Sequence, residues 1–369
     1  MFLQSDFAAI AASFDFHRAS PNVSIDEYVR QRHLELGQTV VSKQRIYLDK
    51  CFWIKLRDSH LKGYQDLAIS YLLAALLDSV STGKMVCPLS PALFYELMKQ
   101  TDPKTRYATA ELMDKLSGGL SFISQEARIQ VEVSHFFHEL AGYVVHPVEA
   151  KVWTRVPCVF GIQHPINRHF SPEEQSVMQK AFFDHLFSFS LEQMSKKIGN
   201  SWPQDSRFAG TACRLNQSNE LHSNVHKSFE ATFRSEILSI IDLCSSTAHQ
   251  VLSIIEAEGH TVAGVDYADG RSIVDFLKTV ALERSTASKV RTLYIGACLH
   301  AAVRWNRGKK LSANDLLDFE HAEAALAYCD FFLTDGPMRT LLTQKNLGLQ
   351  EVFPCKVGST AEEALAWLQ

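Results

Sequence analysis

Several absences narrow the reading of this 369-residue chain before any motif is considered. No CxxC pair occurs: the eight cysteines stand singly at 51, 87, 158, 213, 244, 298, 329 and 355, several of them inside apolar runs. Isolated cysteines in apolar surroundings read as buried thiols, so a disulfide framework is not expected and a reducing compartment is. No apolar run is long enough to span a bilayer; the longest, "LAISYLLAALL" at 67–77, suits a buried helix. The first residues, "MFLQSDFAAIAASFDFHR", have no basic region and carry Asp6 and Asp15 in their apolar part, against a signal peptide. The expectation is a soluble, cytoplasmic protein without a membrane partner. Internal repeats and low-complexity tracts are missing too, and with 46% hydrophobic and 21% charged residues the chain reads as globular.

A global basic surplus is also lacking, since the net charge is −4, so nucleic-acid binding would need a local patch. Residues 271–310 offer one. Arg271, Lys278, Arg284, Lys289, Arg291, Arg304, Arg307, Lys309 and Lys310 face only Asp275 and Glu283, a local balance of +7. The alternative is a solvated helical face, or one paired with the acidic stretch that follows. There, Asp315, Asp318, Glu320, Glu323, Asp330 and Asp335 crowd into 21 residues.

Two segments alternate strand and helix. In the first, "RIYLDKCFW" reads as a short buried strand ending on Asp49, followed by a helix near 65–81 and a strand in "MVCPL". Ser90 then caps a helix with Pro91 at its first position, and another helix runs to Gly118 before "LSFIS". In the second, Ser312 caps a helix to about 327, "CDFFLT" is a strand, Pro337 opens a helix, "LQEVF" is a strand and "STAEEALAWL" a final helix. Between them lie helical patterns, among them one starting at Ser171 and a long run at 220–258. Upstream, Ser24 and Glu27 form a capping-box pattern for a helix with Gly37 as its stop. Alternation of this kind implies a parallel sheet covered on both faces. The expected order is therefore an N-terminal extension (1–42), an α/β domain in two parts (43–123 and 312–369) and a large, mainly α-helical insertion (124–311).

Two of the expected strands end on an acid, Asp49 and Asp335, at the edge where open parallel sheets bind ligands. Glu96 and Asp318 sit on amphipathic helices among apolar neighbours. Four converging carboxylates repel one another, and a hard divalent cation, Mg²⁺ or Mn²⁺, resolves the conflict. Each acid also has a plainer reading. A strand-end Asp often caps a turn or helix, Glu96 could be solvated, and Asp315 competes with Asp318 for one helical face. His321, a turn after Asp318, reads as a hydrogen-bonding or rim residue rather than a ligand. The pairs His135/His138 and His222/His226 have zinc-like spacing but no HExxH pattern or nearby cysteines. Glu320, Glu323 and Asp330 are expected to solubilise or to pair.

"RIYLDKCFW", "CPLSPALFYELMK" and "DLLDFEHAEAALAYCDFFLTDGPM" together resemble the PIN-domain nucleases, especially larger bacterial PIN-like proteins. The resemblance covers residues 43–123 and 312–369. It implies a three-layer α/β/α PIN-like domain with a central parallel sheet, and metal-dependent phosphodiester hydrolysis, usually of RNA. Matched position by position, it implies Asp49, Glu96, Asp318 and Asp335 as catalytic, metal-holding acids. Two departures stand out: Lys50 and Cys51 follow the first acid where the family often has Ser, Thr or Asn, and Gly336 follows the last where many members carry another acid. The expected mechanism is attack by a metal-activated water on a phosphodiester. Basic residues of 271–310 would grip the backbone of single-stranded RNA, and aromatics of the insertion would stack its bases. Competing functions are a DNA-directed nuclease, a phosphatase with Asp49 as nucleophile, disfavoured because Cys51 stands where a second acid is needed, and an inactive PIN-like interaction protein whose insertion serves homo-oligomer or partner contact.

Overall fold

The computed structural model describes residues 8, 10–63, 66–162, 164–199, 202, 207–222, 228–262, 265, 272–306 and 309–368. The fold is mixed α/β and mostly helical, with one parallel sheet of four strands. The strands are β1 (Gln44–Leu48), β2 (Met85–Val86), β3 (Leu120–Phe122), β4 (Trp153–Arg155), β5 (Phe331–Leu333) and β6 (Lys356–Gly358). The four-stranded sheet has the order β2-β1-β5-β6, and β3 and β4 form a separate pair. Ile46, Tyr47 and Leu48 register against Phe331, Phe332 and Leu333, which in turn register against Lys356, Val357 and Gly358. All three β5 residues are buried, as expected of a central parallel strand covered on both faces. Asp330 locks β1 to β5: its carboxylate accepts the Arg45 amide at 2.7 Å and pairs with the guanidinium at 3.1 Å. That acid pairs, as expected of it.

Contact density divides the chain into two compact units. One comprises 1–44, 53–124 and 149–202. Its helix Ile25–Val41 is capped by Ser24, whose hydroxyl accepts the Glu27 amide. Gly37 does not stop this helix. It lies buried inside it because a β-carbon there would stand 1.8 Å from the Ala150 carbonyl oxygen, so the glycine serves close approach. "LSFIS" does form a strand, β3, but it pairs antiparallel with β4 outside the main sheet, and Phe122 stacks on Trp153 at 4.3 Å. The helical run from Ser171 breaks into Pro172–Phe187 and Leu191–Ile198, each opened by a capping box. Asp114 reaches the second of these and accepts the amides of Leu191 and Glu192, both at 2.8 Å.

The other unit comprises 45–52, 125–148 and 203–369. In the helical run expected at 220–258, residues 223–227 lie outside the described residues; the described part holds the end of helix Arg207–Leu221 and the helices Phe229–Leu243 and Ser245–Ala257. Helix Arg291–Trp305 is buried over most of its circumference. Its N-cap, Val290, supplies no side-chain acceptor, and Glu132 does so instead. That carboxylate, fully buried, accepts the Thr292 amide at 2.9 Å and hydroxyl at 2.6 Å, and the Tyr328 hydroxyl at 2.5 Å. Burial pushes its pKa up, against the pull of these donors. "LQEVF" is not a strand: Leu349–Val352 forms a single helical turn, and the sheet edge is supplied by β6 a few residues later. A short apolar run has no periodicity to separate strand from buried turn. All eight cysteines are free thiols, five of them buried, while Cys213 is exposed. Among the described residues no single helix is long and apolar enough to cross a membrane; Phe229–Asp242 and Ser245–Ala257 reach such length only together, across a 57° bend.

Candidate metal centre

The buried sheet brings three ligand-type side chains to one place. Asp49, Glu96 and His321 each offer a donor atom, and these atoms lie within 4.8 Å of one another. All three are buried, with Glu96 at 6% and His321 at 1% exposure. Donors about 2.1 Å from a shared ion stand about 3 to 4.3 Å apart, so a small contraction closes the group around a cation. This buried cluster could bind a metal ion.

Each member is placed by its own local structure. Asp49 follows the last residue of β1, where the chain leaves the sheet for helix Lys50–Lys62. Its amide donates to the Leu333 carbonyl at 2.9 Å, which extends the β1–β5 ladder by one step and holds the residue at the strand's carboxyl end. Its Oδ2 accepts the buried Thr334 hydroxyl at 2.8 Å. Glu96 lies on helix Pro91–Met98, capped by Ser90 through the Leu93 amide and begun by Pro91. Nearly every residue of that helix is buried, so the core carries the carboxylate inward rather than leaving it to solvent. His321 sits on helix Ala313–Tyr328, capped by Ser312 with Asp315 as the reciprocal partner.

His321 is oriented by Tyr47, whose hydroxyl is 2.6 Å from Nδ1. Tyr47 is fully buried in β1. When Nδ1 carries the proton and donates to the phenol oxygen, Nε2 presents its lone pair as a ligand. A hydrogen bond of this kind, fixing the tautomer and ring orientation, accompanies most metal-binding imidazoles. Two carboxylates in one buried pocket are costly as bare charges, and a divalent cation offsets both. Carboxylate oxygens and an imidazole nitrogen are ligand types that divalent cations take.

The four acids expected from sequence do not all meet. Asp49 and Glu96 do. Asp335 is exposed and caps helix Gly336–Leu342, accepting the Met338 amide at 2.8 Å, which is the plainer role open to a strand-end Asp. The register explains why: Thr334 follows Leu333 just as Asp49 follows Leu48, so Thr334, not Asp335, reaches Asp49. Asp318 is half-buried, one turn before His321, and outside the three-residue group. Asp315 is engaged by Ser312 and Lys309. His321, read from sequence as a hydrogen-bonding residue, does bond Tyr47 and also joins the cluster. The available signal was a lone histidine on an alanine-rich, buried helix, one turn from an acid already singled out. Glu323 is 1% exposed, so it does not solubilise. It receives the Gln125 amide, lies 4.0 Å from Arg128, and burial pushes its carboxyl up to about 8.

The basic run is largely committed within the fold. Lys278 pairs with Asp242, Arg284 with Glu351, Lys289 with Glu139, Arg304 with Glu236, Lys309 with Asp315 and Lys310 with Glu220. Arg291 donates to the carbonyls of Ser288 and Ala327. Pairing with acids, the alternative left open by sequence, thus describes most of this segment, and Lys309 pairs with Asp315 of the acidic stretch that follows. Arg271 and Arg307 lie outside the described residues, as does His226. Of the other histidine pair, His135 bonds the His146 carbonyl and His138 the Ser134 carbonyl.

No protein-family model matches the chain, and no curated protein or solved structure matches it either.

Proposed function

We propose that this chain is a metal-dependent nuclease with a PIN-like α/β/α domain, most simply an endoribonuclease, whose ion is held by Asp49, Glu96 and His321. The observation that carries this reading is the meeting of those three ligand atoms at the carboxyl end of a parallel strand. Ligand crevices of open α/β sheets occupy that edge. The order of the motifs around Asp49, Glu96 and Asp318 supports the same class. Bound Mn²⁺ would supply an acidified water and a Lewis acid for a phosphodiester oxygen. The protein's own part is placement: Thr334 orients the Asp49 carboxylate, and Tyr47 orients the His321 ring. Asp318, half-buried and one helical turn before His321, would hold a water or a second ion that arrives with substrate. Asp335 has no part in this arrangement. Since the residues of 271–310 are mostly paired, phosphate contact there would exchange one ion pair for another, giving a weak, salt-sensitive grip.

The test is cleavage of a mixed RNA pool by the purified chain with Mn²⁺, with EDTA, and with Asp49→Asn. Cleavage confined to the unaltered protein with Mn²⁺ is the expected outcome. Equal cleavage by the variant, or in EDTA, would sink the reading.

A further inference from the structure

Helix Ala313–Tyr328 presents His321 to Tyr47 of β1, and the stretch that follows His321 is nearly smooth. Residues 322–327 read Ala-Glu-Ala-Ala-Leu-Ala, all buried. Alanines make low ridges, so packing alone resists sliding or rotation of such a helix only weakly. Of its larger side chains there, Glu323 and Tyr328 are held by polar groups of helix Gln125–Leu140. Gln125, Arg128 and Glu132 follow an i, i+3, i+7 spacing and so share one face of that helix. The Gln125 amide donates to Glu323 Oε2 at 2.5 Å, and the Arg128 guanidinium stands 4.0 Å from the same oxygen. Glu132 accepts the Tyr328 hydroxyl, together with the amide and hydroxyl of Thr292 at the start of helix Arg291–Trp305. Arg128, Glu132 and Glu323 are each 1% exposed or less. Gly296, on helix Arg291–Trp305, leaves the room: a β-carbon there would stand 2.7 Å from Glu323 Oε1. All these groups belong to one compact unit, which also contains Tyr47 and His321.

We propose that Arg128, Glu132 and Glu323 are a register key, which fixes the axial position and rotation of helix Ala313–Tyr328 and thereby positions His321 in the candidate metal centre. A buried arginine among buried carboxyl groups is often no more stabilising than apolar side chains of the same volume, and the best-attested use of such groups is to select one packing register among several. Here they occur where apolar packing is least able to select one. Their geometry points the same way. At about 100° per residue, His321 and Glu323 project about 160° apart around the helix. The sheet therefore holds one side of it through Tyr47, and helix Gln125–Leu140 holds the other through Glu323. A rotation that frees Glu323 from its partners carries His321 off Tyr47. A slide by one residue's rise, about 1.5 Å, exceeds the roughly 0.5 Å within which a ligand must be held. The effect on an ion rests on the metal-centre reading; the hold on His321 does not.

The experiment uses the full chain carrying Arg128→Met together with Glu323→Leu, an apolar replacement of similar volume; Gln125, half-buried, can turn its amide to solvent. Three quantities are read: the melting temperature in EDTA, the ring nitrogen and N–H signals of His321, identified by their loss in His321→Gln, and Mn²⁺ affinity by calorimetric titration. The expected result is a melting temperature kept or raised, loss of the hydrogen-bonded Nδ1 signal that Tyr47 gives His321, and Mn²⁺ affinity lowered about tenfold. Tyr328→Phe keeps the ring and takes one donor from Glu132. It should shift the same His321 signals, and it decides the matter if the double variant does not fold. Unchanged His321 signals in a folded variant overturn the key. A melting temperature that falls in step with those signals in the double variant does so too, since the three residues would then be ordinary supports of the core. Mn²⁺ bound as tightly as before by a variant whose His321 signals have moved overturns the positioning role at the ion. If the unaltered chain binds no Mn²⁺ while the variants still disturb His321, the metal reading fails and the register key stands.

Discussion

Replacing Tyr47 with Phe removes one oxygen and changes little else. The ring lies fully buried in β1 against Phe332, with centroids 5.6 Å apart, and a phenylalanine keeps that packing. What goes is the 2.6 Å hydrogen bond to His321 Nδ1. A buried polar group stripped of its partner costs about 1 to 3 kcal/mol, so the metal-free protein should lose stability of that order. Metal affinity carries the sharper prediction. Without the phenol oxygen to receive its proton, Nδ1 no longer selects the tautomer that leaves Nε2 free, and the ring loses its anchor. Loss of such an outer partner typically weakens metal binding by about 10- to 100-fold, or about 1.4 to 2.7 kcal/mol. Calorimetric titration of Mn²⁺ into unaltered and Tyr47→Phe protein reads this directly, beside thermal melts in EDTA. A variant that melts earlier in EDTA yet binds Mn²⁺ as tightly as before would show that Tyr47 supports the core and that His321 is not a ligand.

Two further predictions concern helix Ile25–Val41. His33 bonds Thr154 at 2.8 Å, and burial lowers its pKa to about 4, with the nearby Arg32 charge acting in the same direction. The folded state therefore binds fewer protons than the unfolded state between about pH 6.5 and 4, so stability is present above that window and falls as pH drops through it. The melting temperature should decline more steeply over that range in the native chain than in His33→Gln, and parallel curves would refute the assignment. Gly37→Ala, which in an exposed helix would gain about 0.5 to 1 kcal/mol, should here destabilise by more than that, because the new β-carbon collides with the Ala150 backbone. A raised melting temperature would contradict the close approach.

Local rules made much of the fold legible. Ser24, Ser90, Ser171 and Ser312 each cap the helix their sequence announced, because capping depends on residues within one turn. The strand ending at Asp49 and the strand in "CDFFLT" were likewise readable from short buried β-prone runs. Gly37 and "LQEVF" depart from the sequence expectation for a common reason: helix stop and close approach both call for glycine, and a short apolar run suits a strand or a buried turn equally. In each case the deciding partner, Ala150 or the β6 edge, lies elsewhere in the chain.

The candidate site divides along the same line. Sequence alone determined that an acid ends the first strand, that Glu96 rides on an apolar helix, and that an Asp and a His lie one turn apart after Ser312. Only the tertiary structure decided which of them meet. Register pairs the residue after Leu48 with the residue after Leu333, which brings Thr334 to Asp49 and turns Asp335 outward to cap a helix. It also sets Tyr47 against His321, 274 positions away in the chain, and so gives an unassuming histidine an orientation. Carboxylates and imidazoles are chemically ready to bind metal wherever they occur; convergence is a property of the packed sheet, which no window of neighbouring residues contains.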